Sequence, residues 1–417
     1  MTDFYEKNKS TLKRILMEIE AELLTDNVAF WEERICDRNY GGFLQGYNRY
    51  GELTDTDKYG WFVGRTMSTF ASLYHQVEQK PLWLEIVKAG REYMKGSFCA
   101  GKGRYNYQLS RQGSVKKGTT SIFTDVFAVE GLHEYLQCME GEQRAEGLKH
   151  IESLSDILFS NMQNPQILLR EGIREGFQKH AICFMQTLVA LKSRTAFGNR
   201  YRDILTQCVE KTLYEFASDT YQAPFENIGT DGKPKLEKEG RIIDPGHTME
   251  ALWFSMEAGK ECDNKSYIER AQMVLDWVID RAYDEEFGGF YQHVDIDGAV
   301  KDKEFLENSY AGRPVAWNDK VWWVQAESLN ALLMSALYNE NERHFSYFLK
   351  QYDYVEQYFR DKEYGEWFGL LKRDGSILSD EKGFELKGPY HVPRCLMTMK
   401  LLITEYIKKG EAYEKKA

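Results

Sequence analysis

The chain has 417 residues, 42% hydrophobic and 29% charged, and a formal net charge of −11. That balance suits a soluble protein with a sizeable core and excludes a nucleic-acid binder, which needs a basic face to neutralise phosphates. Seven scattered cysteines without a CxxC spacing fit reduced thiols in the cytoplasm better than a disulfide framework or a zinc site, and no apolar run approaches a membrane span.

The chain begins with a charged, amphipathic segment (4–24) that reads as a helix rather than a signal peptide. It leads to the first of three matching arms: DRNYGGFLQGYNRYG (37–51), DEEFGGFYQHVDIDG (284–298) and DKEYGEWFGLLKRDG (361–375). In each, Asp stands four residues before one Gly and fourteen before a closing Gly, around an aromatic stretch that reads as a short hairpin or extended arm. Weaker copies end at Gly113, Gly172 (ILLREG) and Gly232, and the six closing glycines are spaced by 62, 59, 60, 66 and 77 residues. Six units of about 60 residues are the expected repeat.

Between arms lie pairs of helical segments. Units one, three and five show them clearly, at 61–77 with 81–95, 180–193 with 199–217, and 321–338 with 342–359. The first of each pair is apolar nearly all round and the second is charged on one face, which predicts a buried helix followed by an exposed one. Repeated six times, this predicts an all-α (α/α)6 barrel in which 4–24 backs the last inner helix (392–408). An open helical solenoid is the alternative, but closure accounts for both ends without capping repeats. With no Pro/Gly/Ser-rich linker, the expected organisation is one domain over 1–417.

Polar residues interrupt the apolar starts of the inner helices. Arg65 follows DTDKYGWFVG, Asp125 lies in SIFTDVF, and His247 and Glu250 share a face in DPGHTME. Glu327 ends WWVQAE, whose Trp322 is a candidate platform, and His391 and Arg394 share a face in KGPYHVPR. Each residue also has a plain packing role open to it, and His75, His133, His150, His293 and His344 are expected to have only that. Histidines beside carboxylates and arginines in an aromatic cavity suit proton transfer on a polyhydroxylated substrate. Inverting a carbon α to a carbonyl needs acid/base groups on two faces, and Arg65 suits the developing oxyanion. Neither HxxxH nor HExxH occurs, so no metal is expected.

These motifs, above all DTDKYGWFVGRTMSTFASLY, DPGHTMEALWF, NDKVWWVQAE, FRDKEYGEWFGLLKRDG and KGPYHVPRCL, resemble the N-acylglucosamine 2-epimerase family over nearly the whole chain. The resemblance implies a sugar 2-epimerase acting through an enediolate, with His247 and His391 as paired catalytic acid/base groups. It implies that Arg65 holds the carbonyl end and that Glu250, Glu327 and Arg394 bind or orient the substrate. It further implies that the chemistry needs no cofactor, with ATP or another nucleotide as a possible activator (Lys116–Lys117 is the candidate contact). The expected partners are a monosaccharide substrate and, as a homodimer, a second copy of the chain; no membrane partner is expected. Leu386 stands where relatives acting on cellobiose carry Trp. Cys183, with His180 one turn earlier, stands where such relatives carry another His. Both differences favour N-acylglucosamine and N-acylmannosamine over a disaccharide. The alternatives are an aldose–ketose isomerase of mannose type, a glycoside hydrolase using Asp125 and Glu327, and a non-catalytic protein that binds a protease.

Overall fold

The computed structural model describes residues 3–298, 300, 310 and 312–414. Six helices form an inner ring: α3 (Gly60–Gln76), α5 (Ile122–Gln137), α8 (His180–Phe197), α10 (Pro245–Glu261), α12 (Trp322–Asn339) and α14 (His391–Glu414). Each packs on the next, and α14 returns to α3, so the ring closes and the open solenoid is excluded. Behind it stand α4 (Pro81–Tyr93), α6 (Gly141–Asn161), α9 (Arg202–Glu210), α11 (Lys265–Ala282) and α13 (Glu342–Tyr358), while α1 (Asp3–Ala21) backs α14. This is the expected (α/α)6 barrel. Two short helices, α2 (Ala29–Glu32) and α7 (Pro165–Arg170), complete the set among the described residues.

Composition explains which helix goes where. Every residue of α12 from Trp322 to Leu337 is buried, so a helix apolar all round is covered on all sides. Outer α11 buries Tyr267, Ala271, Val274, Leu275 and Val278 at helical spacing and exposes its opposite face. Starts are set by caps: Asn341 accepts from the His344 backbone N–H at 3.0 Å, and Asn264 accepts from Ser266 at 3.2 Å. The third arm departs from expectation. ILLREG is helix α7 with a turn, because Asn164 caps and Pro165 occupies the first helical position. No described helix is long and apolar enough to cross a membrane.

The arms lace neighbouring units together at one end of the ring. A two-residue strand just ahead of an inner helix pairs antiparallel with the arm of the next unit: Lys58–Tyr59 with Gln108–Leu109, Ile242–Ile243 with Val294–Asp295, and Lys320–Val321 with Leu370–Leu371. The aspartate heading each matching arm reinforces this. Asp37, Asp284 and Asp361 each accept backbone N–H bonds two and three residues on. Each also holds a fully buried lysine: Lys58 at 3.1 Å, Lys320 at 3.1 Å and Lys382 at 2.9 Å. A neighbouring unit then supplies an arginine two residues before its closing Gly. Arg111 reaches Asp37 at 3.0 Å, Arg373 reaches Asp284 at 2.9 Å, and Arg49 reaches Asp361 at 2.7 Å. The last contact ties unit six to unit one.

Burial alone pushes these carboxyl pKa values up, but the arginine and lysine outweigh it and hold Asp37 and Asp284 at about 2. Lys320 is pushed down to about 7 by burial, against the pull of Asp284. Removing one partner therefore strands a buried cation. Asp361→Ala is expected to destabilise the fold by about 3–5 kcal/mol, against roughly 0.5 kcal/mol for the surface change Lys9→Ala. Urea unfolding of both variants checks this, and equal losses would show that the clasp carries no special weight.

Candidate active site

All six inner helices point their first turns at one cavity of about 200 Å³, floored by Arg65, His247, Glu250, Trp323 and His391 and walled by Trp61, Phe127 and Phe184. The two histidines, far apart in sequence, share this cavity and one aromatic neighbour. The Trp323 ring lies 5.2 Å from the His247 ring and 5.7 Å from the His391 ring, centre to centre. Gly246 makes that placement possible, since a Cβ there would lie 2.3 Å from the Trp323 ring.

The carboxylates around the two rings are arranged differently. His247 opens α10, where Asp244 caps the helix by accepting the His247 backbone N–H at 2.9 Å. Its Nδ1 donates to Glu226 at 3.1 Å and lies 3.3 Å from Asp244. Burial pushes the imidazole pKa down, but Asp244 and Glu226 outweigh it and raise it to about 9. His247 is therefore an imidazolium at neutral pH, with 27% of its side chain open to the cavity.

His391 opens α14 and its Nδ1 lies 2.7 Å from Glu327. Glu327 also accepts from Trp253 at 2.8 Å and from Arg394 at 2.7 Å, so it is an acceptor and His391 Nδ1 is the donor. Arg394 donates as well to Glu250 and, at 2.9 Å, to Tyr390, whose hydroxyl donates to Glu130. Burial, then Arg65 and Arg394, push the His391 pKa well below its ordinary value, against Glu250. His391 is neutral, with Nε2 left as an acceptor.

Arg65 has aromatic neighbours in place of an acid. Its guanidinium carbon lies 3.9 Å from the centre of the Phe127 ring and 4.7 Å from those of Trp61 and Tyr390. Among the described residues no carboxylate lies within ion-pair distance of it, and its buried Nε has no partner. This leaves a positive charge free for a ligand oxygen.

Other candidates fall elsewhere. Asp125 is fully buried away from the cavity, accepts from Arg104 and from the Tyr105 N–H at 2.8 Å, and is pushed up to about 7 by burial. It anchors an arm, so the expectation that it meets substrate does not match its position. Trp322 reaches the cavity edge but is 1% exposed against Tyr310 and Phe384. Its neighbour Trp323 is the ring that faces both histidines. Glu327 and Arg394 stand behind His391 as supports, and Leu386 lines the cavity rim. His180 is buried with neither ring nitrogen bonded, stacked on Phe216, and pushed down to about 4 by burial. The Cys183 thiol points outward to the Cys208 carbonyl at 3.2 Å. Lys116 is paired with Asp57, and the Lys117 ammonium lies 5.4 Å from the Tyr107 ring centre.

Sequence reasoning misses Glu226 and, of the adjacent Trp322 and Trp323, takes the former as the platform. No spacing marks Glu226, which comes from the arm before α10. Two donor sets are compact enough for a metal ion, Glu226–Asp244–His247 and Glu250–Glu327–His391. Arg394 supplies the positive charge in the second, and the His247 imidazolium does so in the first.

The profile of the family described as N-acylglucosamine 2-epimerase (GlcNAc 2-epimerase) matches residues 41–395. The N-acylglucosamine 2-epimerase of Mus musculus is 29% identical over 97% of this chain and 96% of its own length, and that of Homo sapiens 28% over 94% and 90%. The solved cellobiose 2-epimerase from Spirochaeta thermophila DSM 6192 superposes with a TM-score of 0.79 over 96% of this chain and 99% of its own, at 18% identity, a likeness of fold alone. With its profile spanning most of the sequence and the repeat, the ring and the histidine-bearing cavity all in place, the chain belongs to the N-acylglucosamine 2-epimerase family.

Proposed function

We propose that this chain is a carbohydrate 2-epimerase that interconverts N-acylglucosamine and N-acylmannosamine, one of His247 and His391 taking the C2 proton and the other returning a proton to the opposite face. The observation that carries this reading is that two imidazoles face one cavity on either side of the Trp323 ring, one with its pKa raised by carboxylates and one with it lowered by burial and arginines, beside a guanidinium without a counter-ion. In the opened sugar, C2 lies α to the C1 aldehyde. Neutral His391 takes the C2 proton through Nε2, the C2–H electrons form the C1=C2 double bond, and O1 becomes an oxyanion held by Arg65. The His247 imidazolium gives its proton to the opposite face of C2, the C1 carbonyl reforms, and the configuration is inverted. One proton enters the pair and one leaves, so the next turnover in the reverse direction starts with the roles exchanged.

The cavity is smaller than a drug-sized pocket, whose volume is roughly 300 Å³ or more, and fits one sugar ring better than two. Leu386 at the rim offers no aromatic face to a second ring, and the relatives named N-acylglucosamine 2-epimerase cover this chain almost completely. Both support a monosaccharide with an acylamino group at C2. That group also separates the reading from aldose–ketose isomerisation, because an N-acyl sugar cannot yield the ketose.

In heavy water the protein is expected to place deuterium at C2 of N-acetylmannosamine, and His391→Ala or His247→Ala is expected to slow this by about 10²–10⁴-fold. Proton NMR of the C2 signal reads the exchange, and exchange at the wild-type rate in both variants would sink the proposal.

The active pair holds one proton in total, so the rate rises through the lowered pKa of His391 and falls through the raised pKa of His247. A bell is expected whose alkaline limb lies near pH 9. It is expected to be the same in both directions, because the two one-proton forms differ only in where the proton sits. Glu226→Gln removes a charge that raises the His247 pKa, so its alkaline limb should move to lower pH; a limb that stays in place would disprove the coupling.

A further inference from the structure

The ring has a second chamber. At the mouth opposite the histidines, all six inner helices border a cavity of about 620 Å³. Its floor is Trp253, Phe254 and Arg394, the other side of the partition that supports Glu327 and His391. One face of α10 runs through both compartments. Glu250 serves the partition from above, Trp253 and Phe254 lie within it, and Glu257 enters the lower chamber one further turn on.

Every carboxylate on this wall but Glu257 has a cationic partner. Glu134 is bound by His75 at 2.7 Å and Lys192 at 2.6 Å, Glu261 by Arg194 at 3.2 Å, and Glu405 by Lys260 at 2.9 Å. Arg394 is committed to Glu250 and Glu327, and Glu130 stands behind it. His133 carries no charge, since burial pushes its pKa down to about 4. Glu257 is left facing the chamber with no hydrogen-bond donor and no cation within ion-pair distance among the described residues. Burial raises the Glu257 pKa against the pull of Lys192, and a cation seated beside the carboxylate would oppose that rise and favour its charged form. Tyr338, with the Lys260 ammonium 5.6 Å from its ring centre, and the edges of the partition rings line the chamber beside it.

We propose that this lower chamber is a second ligand site, separate from the sugar cavity, that takes a small organic cation whose ammonium pairs with Glu257 and whose carbon chain rests on Tyr338, Trp253 and Phe254. An aromatic-lined cavity with one unpartnered carboxylate favours an ammonium with hydrocarbon attached over a bare metal ion, which would want several oxygen ligands, and over an anion. The proposal rests on the walls of this chamber alone, so its failure leaves the reading of the sugar cavity untouched.

The test is isothermal titration of the full chain with 1,4-diaminobutane, and with succinate as an anion of the same chain length, at matched ionic strength. One diamine is expected to bind per chain and succinate not at all. Glu257→Gln is expected to weaken diamine binding by about tenfold or more. Thr398→Arg, which fills the chamber and adds positive charge, is expected to abolish it. Circular dichroism confirms that each variant is folded, and Glu257→Gln breaks no hydrogen bond or ion pair among the described residues, so no loss of stability is expected. The proposal is overturned by absence of diamine binding up to about 10 mM, by equal binding in both variants, or by binding of succinate.

Discussion

The architecture depends on one recurring constraint, a buried lysine ammonium that must be matched. Lys58, Lys320 and Lys382 have no access to solvent, and each is held by an aspartate that also receives an arginine from a neighbouring unit. An isolated charge in such a place is expensive, so the aspartate and the arginine stabilise the charged lysine that burial disfavours. This ties folding of one unit to folding of its neighbour. It also fixes where two of the inner helices start, because Lys58 and Lys320 sit just ahead of α3 and α12. The helix starts carry the polar residues of the cavity, so the clasp indirectly sets the geometry of the chemistry.

The site shows how one residue type takes two roles. Both imidazoles are deep in the protein, and burial alone would keep both neutral. His247 sits between two carboxylates that meet its Nδ1 and have no arginine between them. His391 has a carboxylate at its Nδ1 too, but Arg394 neutralises that acid and Arg65 adds a second positive charge nearby. The difference between acid and base lies in the guanidinium groups rather than in the histidines themselves.

Much of this was legible in the sequence. The period of the closing glycines and the alternation of buried and half-buried helices were enough for the barrel, because burial on all sides leaves a compositional mark. Arg65, His247, Glu250 and His391 stood out as polar interruptions in apolar helix starts, and they meet in one cavity. Asp125 stood out by the same rule but pairs with Arg104, since a buried aspartate at a helix start can serve an arm as well as a ligand. The choice between Trp322 and Trp323 turns on helix rotation, which adjacent positions do not reveal. Glu226 comes from a different element from the ring it charges, and ILLREG lost its resemblance to an arm through the local chemistry of Asn164 and Pro165.

The closure of the ring has a topological consequence. Helix α1 lies along α14, with Lys9 2.8 Å from Glu414 and Lys13 2.8 Å from Glu411, so the two ends of the described chain run side by side. A short flexible joint between them would cost little loop-closure entropy. The barrel can then be opened instead at an exposed connection between an outer helix and the next arm. A circularly permuted chain of this kind keeps the same inner ring and the same cavity, because each unit is held by its neighbours in space whichever of them the ribosome makes first.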